Sequence, residues 1–170
     1  MTIIDTDLLV TRTGVRLNVR PARPEDEPAL AEFFGHVTPD DLRFRFLTGV
    51  REVGHERLLA MATANDARSE SLIALDDGGA VLASAMLVGD AAGETAEAAI
   101  AVRGDHKGRG IGWTLLDHLV GHARRHGYAA IESIEDRANR DAIALEREMG
   151  FEAIPIDGEP ALVRIRRELR

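Results

Sequence analysis

No cysteine occurs among the 170 residues of this chain, which excludes disulfides and thiolate-rich metal sites. No apolar run approaches the roughly 18 residues of a membrane span, so no membrane partner is expected. The start, MTIIDTDLLV, lacks the basic flank of a secretory signal, and a cytoplasmic location follows by default. Repeats, low-complexity tracts and linkers are missing as well. At this length one compact domain, residues 1–170, is expected, and a second would be cramped. Lysine is nearly absent: of 21 basic residues only Lys107 is a lysine. With the abundant alanine, this arginine bias reads as a compositional habit of the source, with most arginines on the solvated surface, rather than as a binding signal. Net charge is −8, so a nucleic-acid surface is not expected.

What is present alternates between two textures. LLVTRTGVRLNVRPA reads as two short strands around a turn at Thr13-Gly14, with Val15, Leu17 and Val19 alternating. Pro24 opens a helix, PEDEPALAEFFGHV, with acids in its first turn where the helix dipole favours them. Thr38 is a second N-cap, before PDDLRFRFLTGV, and HERLLAMATA is a third helical piece. SLIALDD, a Gly78-Gly79 turn and AVLASAMLVGD form a hairpin. Residues 94–102, ETAEAAIAV, are ambiguous by propensity, but their length and flanking turns favour a strand. The segment WTLLDHLVGHARRH is an amphipathic helix, followed by a strand over 128–135 and a helix from about Ala138 to Met149, closed by Gly150. Segments 151–156 and 160–165 are the last strands. The order predicts a mixed α/β (α+β) domain: a mostly antiparallel sheet of about six or seven strands with helices on both faces.

The stretch HKGRGIG, residues 106–112, sets three glycines before a good helix. Each glycine inside a helix costs roughly 0.5–1 kcal/mol relative to alanine. A strand, a bare turn and a helix start present free N–H groups and the positive end of the dipole, which suits a phosphate. The stretch lacks the Gly-Lys-Ser/Thr of a P-loop, and Trp113 stands where the dinucleotide fingerprint needs its third glycine.

The spacing Lys107-Gly108-Arg109-Gly110-Ile111-Gly112 resembles the Gln/Arg-x-x-Gly-x-Gly/Ala motif with which the GNAT superfamily of N-acyltransferases holds the pyrophosphate of acyl-CoA. Lysine at its first position is a mild departure. Asn139 through Met149-Gly150-Phe151 is similar to a second segment of that superfamily. VRLNVRPARPEDEPAL, TPDDLRFRFLTG and TAEAAIAV further resemble the catalytic domain of Pat-type bacterial protein-lysine acetyltransferases, although Arg45-Phe46-Leu47 departs from their Arg-Phe-Phe.

The resemblance implies a GNAT fold and an acetyl-CoA-dependent N-acetyltransferase acting on a protein lysine. A small-amine acceptor, or an acyl-CoA-binding sensor without turnover, stays open, as does monomer or homodimer. It implies that Lys107, Gly108, Arg109, Gly110, Ile111 and Gly112 hold the pyrophosphate. Ile100, Ala101 and Val102 would border the pantetheine through a splayed strand, and Asn139 would touch its arm. Glu97 matches the general base of the Pat-type enzymes, with Glu94 as the fallback. Its strand neighbours Ala99 and Ala101 leave room for a thioester and a nucleophile. Many members carry a tyrosine that reprotonates the departing thiolate. Glu146 stands in that place here, and the single tyrosine is Tyr128, so the chain is expected to lack that acid. His118, His122 and His126 recur at helical spacing, but no carboxylate completes a site, and no metal is expected.

Overall fold

A computed structural model describes residues 6–47 and 52–170. Among the described residues thirteen strands and α-helices follow one another: β1 (Asp7–Val10), β2 (Arg16–Pro21), α1 (Glu27–Phe34), α2 (Pro39–Phe46), α3 (His55–Thr63), β3 (Ser69–Leu75), β4 (Val81–Gly89), β5 (Thr95–Val102), α4 (Ile111–Arg125), β6 (Ala130–Asp136), α5 (Arg140–Glu148), β7 (Glu152–Pro155) and β8 (Leu162–Glu168). The expected first helix is split, a 3-10 turn over Pro24–Asp26 preceding α1. The TGV that ends the second helical stretch, residues 48–50, lies outside the described residues. Thr38 caps α2 as expected, its hydroxyl accepting from the Asp41 amide at 3.2 Å.

The strands form one sheet in the order β1-β2-β3-β4-β5-β6-β8-β7, eight strands where about six or seven were expected. Both edge strands are only four residues long, which limits the exposed hydrogen-bonding edge. Every pairing is antiparallel except β5 with β6. Residues 95–102 settle as strand despite their alanines. Pairing along β4 supplies their hydrogen bonds, and Ala96, Ala98 and Ala101 are small enough to be buried between the sheet and its helices. Tertiary context here overrides propensity.

Helices cover both faces. On α4, Ile111, Leu115, Leu116, Leu119, Val120 and Ala123 are buried at the spacing of one helical stripe. They pack with Ala96, Ala98, Ile131, Val163 and Ile165 of the sheet. Burying each of the larger aliphatic side chains is worth about 1.5–3 kcal/mol. On the opposite face Leu30, Phe33 and Phe34 of α1, Leu42 of α2, and Leu58 and Met61 of α3 form a second core with Ile73, Val81 and Ala101. Side chains alternate between faces along each strand. Even-numbered β5 residues therefore meet α4, and odd-numbered ones meet the α1–α3 side.

Candidate active site

The one parallel pairing is short. β5 and β6 are in register only at Thr95↔Ala130, Ala96↔Ile131 and Glu97↔Glu132. Beyond that point β5 continues along β4 to Val102 and β6 continues along β8 to Asp136. The two strands diverge, leaving a fork in the sheet. The backbone of Thr95 and of Arg103 bonds toward the β4 side: the Thr95 carbonyl accepts from Asp90, and the Arg103 amide donates to Leu82, each at 2.9 Å. By alternation Ala98, Ile100 and Val102 turn their N–H and C=O groups into the fork. Ile100 and Val102, expected to border the pantetheine, thus have backbone groups directed into the fork. Ala101 does not join them, since its backbone faces Ser84 of β4 and its side chain enters the second core.

The glycine loop lies at the wide end of the fork. Gly108 and Gly110 have φ of +76° and +82°, a region that side chains rarely adopt, so the backbone itself demands glycine there. The loop is pinned from β1–β2: the Thr13 hydroxyl donates to the Arg109 carbonyl at 2.7 Å. Gly112 is different. It is the second residue of α4, has no positive φ, and a Cβ built on it meets nothing within 4 Å. Neither conformation nor packing accounts for its lack of a side chain. Among the described residues no hydrogen bond engages the amides from Gly110 to Trp113, and the first amide with a partner is that of Thr114, donating to the Gly110 carbonyl at 3.1 Å. A helix start with open amides and a bare Cα suits a close-approaching anion.

Two neighbours are committed elsewhere. Lys107 Nζ pairs with Asp41 of α2 at 2.7 Å, tying the loop to the α1–α3 side. Trp113 is half-buried under the Arg12 guanidinium, 4.8 Å from its ring centroid. A depression of about 380 Å³ bordered by Val15, Asp77, His106 and Arg109 adjoins the loop, outside the fork.

Glu97 sits where the strands part, exposed, on the α1–α3 side. Its register partner Glu132 shares that face and is held by Arg166 Nη1 at 3.1 Å and Arg164 Nε at 3.6 Å. Arg45 of α2 approaches from below. It touches Met86 Sδ at 3.3 Å, and its buried Nε has no hydrogen-bond partner among the described residues. Burial pushes this guanidinium toward its neutral form, and the Glu97 carboxylate opposes that shift. Glu94, the alternative base, is exposed in the turn before β5, within 3.6 Å of Arg170.

On the α4 face of the fork lies a cluster that the strand pattern did not single out. Glu146 of α5 is only 5% exposed and accepts a 2.6 Å hydrogen bond from the buried Ser133 hydroxyl of β6. Its carboxyl also bonds that of Glu135, to which Asn139 donates at 3.3 Å. Burial, then the hydrogen bond and charge of Glu135, push the Glu146 pKa up to about 9. Asn139, expected near the cofactor arm, is thus bonded to Glu135.

His118 and His122 of α4 and His126, which caps its C-terminus, have other partners. His122 touches Glu70 and stacks on His126 at 4.0 Å, while His118 lies 3.8 Å from Asp7. Burial, then the charges of His126 and Arg125, lower the His122 pKa to about 4. Among the described residues no group of three His, Cys, Asp or Glu side chains could hold a metal, and no helix is long and apolar enough to cross a membrane.

Residues 36–151 match the Acetyltransferase (GNAT) family. An acetyltransferase of Pseudomonas aeruginosa is 28% identical over 142 residues, which cover 81% of this chain and 76% of that protein. Among solved structures, the GNAT domain of S. lividans PAT superposes with a TM-score of 0.87 at 24% identity, covering 96% of this chain and 97% of that one. A spermidine N-acetyltransferase from Vibrio cholerae, solved with CoA and spermine, superposes at a TM-score of 0.73 and 16% identity, covering 90% and 95%.

Proposed function

The chain belongs to the GNAT family of acetyltransferases, and from that premise we propose that it moves the acetyl group of acetyl-CoA to the side-chain amine of a protein lysine. One observation carries the donor half of this reading: the open amides and unhindered Gly112 at the start of α4, aligned with the free edge of β5. From Val102 back to Glu97 a strand runs about 17 Å. An extended pantetheine arm anchored at the loop would reach the narrow end of the fork over that distance. Ala98, Ile100 and Val102 offer it strand-like hydrogen bonds, and the backbone at Gly108 to Gly112 receives the pyrophosphate.

The acceptor half rests on the base. A lysine ammonium with a pKa near 10.4 is neutral only about 0.04% of the time at pH 7, a handicap of roughly 4.6 kcal/mol. Glu97 can relieve it by taking the proton directly or through one water. Its exposure on the α1–α3 side supports an acceptor as large as a protein, arriving from solvent, while the donor enters from the opposite side of the fork. Once neutral, the amine attacks the acetyl carbonyl, the carbon–sulfur bond breaks, and the thiolate takes the electron pair.

Calorimetry with acetyl-CoA, followed by mass spectrometry of lysine-containing proteins and of small polyamines incubated with enzyme and donor, tests both halves. Acetylated lysine and released CoA in equal amounts are expected. Acetylation of polyamines alone would sink the protein-lysine acceptor, and absence of any acetyl-CoA binding would sink the donor.

A further inference from the structure

Glu135, half-buried, and Glu146, buried, form a carboxyl pair that the reaction above leaves unused. It lies on the wall of the fork. The register Ala96↔Ile131 places Ala98 and Ile100 of β5 and Ser133 and Glu135 of β6 on the same sheet face. That is the face covered by α4 and α5, and Glu146 reaches it from α5. The β8 residues directly opposite Glu135 and Ser133, Val163 and Ile165, are buried and apolar, and the one cation of β8 on that face, Arg167, stands opposite Ile131, beside Gly150 at the end of α5. Ser133 and Asn139 are the remaining polar groups in contact, and both are neutral. Two carboxyl groups in hydrogen-bonding contact, one of them buried, share a proton, because like charges side by side in a desolvated site disfavour each other's ionisation.

We propose that the Glu146 carboxyl, set in place by Glu135 and Ser133, is the acid that protonates the departing CoA sulfur. This rests on the reading that acetyl-CoA is the donor. The carbon–sulfur bond breaks with its electron pair on sulfur. The Glu146 proton moves to that sulfur, giving the thiol and leaving Glu146 as carboxylate. A solvent proton restores the pair, offsetting the one that Glu97 passes outward from the ammonium. The energies match: a carboxyl raised to about 9 faces a thiol of ordinary pKa about 8.5, and transfer between groups of similar pKa costs little in either direction. The chain thus replaces the absent tyrosine with a neutral carboxyl held by its neighbour.

Infrared spectroscopy reads the proton directly. At pH 7 the wild type should show a protonated-carboxyl band that is missing in Glu146→Gln. Binding CoA should shift the band, and binding desulfo-CoA, which lacks the sulfur, should leave it in place. In turnover, Glu146→Gln should lose about tenfold or more in kcat while acetyl-CoA affinity stays within threefold. The alkaline limb of the kcat profile should disappear. Glu135→Gln, which keeps the acid but removes the repelling charge, should retain turnover at pH 7 and move that limb to lower pH. A purely structural pair would lower thermal stability and leave the shape of the profile alone. A band that responds identically to CoA and desulfo-CoA, or a Glu135→Gln limb that does not move, overturns the proposal even where Glu146→Gln fails to fold. If wild type binds no CoA, the donor reading falls first and this one with it.

Discussion

Replacing Gly112 by alanine should stabilise the protein and weaken acetyl-CoA binding at once. The stabilising half follows from the helix. Gly112 is the second residue of α4, its φ is not left-handed, and the added methyl meets no atom within 4 Å. Alanine then recovers about 0.5–1 kcal/mol of helix propensity, which for a domain of this size raises Tm by roughly 1–4 °C. The weakening half follows from the same open space, because the methyl occupies the approach of a phosphate to the amides of Gly110 to Trp113. Losing one or two hydrogen bonds to a charged group costs about 1.5–3 kcal/mol, a fall in affinity of roughly 10- to 150-fold. Calorimetric titration with acetyl-CoA and a thermal melt read the two halves separately. The opposite signs are what make the test sharp. At Gly110 any side chain would be strained by the φ of +82°, so a loss there would confound fold with ligand. A Gly112→Ala protein with a higher Tm and unchanged acetyl-CoA affinity would refute the assignment of the loop to pyrophosphate.

Three further outcomes are expected. Glu97→Gln should lower kcat/KM by about 10²-fold or more at pH 7 and leave acetyl-CoA affinity and Tm near wild type, because the side chain is exposed; a pH–rate profile within threefold of wild type from pH 6 to 9 would remove it as the base. Glu146 has a folded pKa raised from the usual 4.5 to about 9, chiefly by burial, so the folded state holds a proton that the unfolded chain releases. Its contribution is complete below pH 4.5 and is lost as pH rises toward 9, so denaturant melts at several pH values should show Glu146→Gln gaining on wild type over that window. Asp26 is the reverse case: hydrogen bonds from Arg20, at 2.8 Å to each oxygen, hold its pKa below 3.8. Its stabilisation is present above pH 3.8 and fades as pH falls through the lower folded value. Asp26→Asn should cost about 3 kcal/mol at pH 7 in urea melts, and a cost under 0.5 kcal/mol would contradict the pairing.

Local chemistry carried much of this protein into view from the sequence alone. Thr38 before Pro39 marks a cap because a hydroxyl there meets a free amide, and the structure has that bond. Leu17 and Val19 alternate because one sheet face is buried, and α4 shows its stripe because one helix face is. The glycine loop announced itself, since three bare residues before a helix oppose propensity. Such signals lie within a few residues of one another, where chain geometry alone brings the partners together. What the tertiary structure decided lies between segments far apart in the chain. Asp41 and Lys107 are separated by a helix and three strands and meet only because α2 folds over the end of β5. Glu132 and Glu135 read as ordinary strand acids until the register sends one to each face, the first to Arg164 and Arg166, the second to Glu146 and Asn139. The fork itself has no local code. Residues 98–102 and 133–136 are good strand residues that could pair, and they part because β4 and β8 claim their other edges along diverging directions. A strand's sequence specifies which side chains face the core, but its partner is set by the competition among all the edges of the sheet.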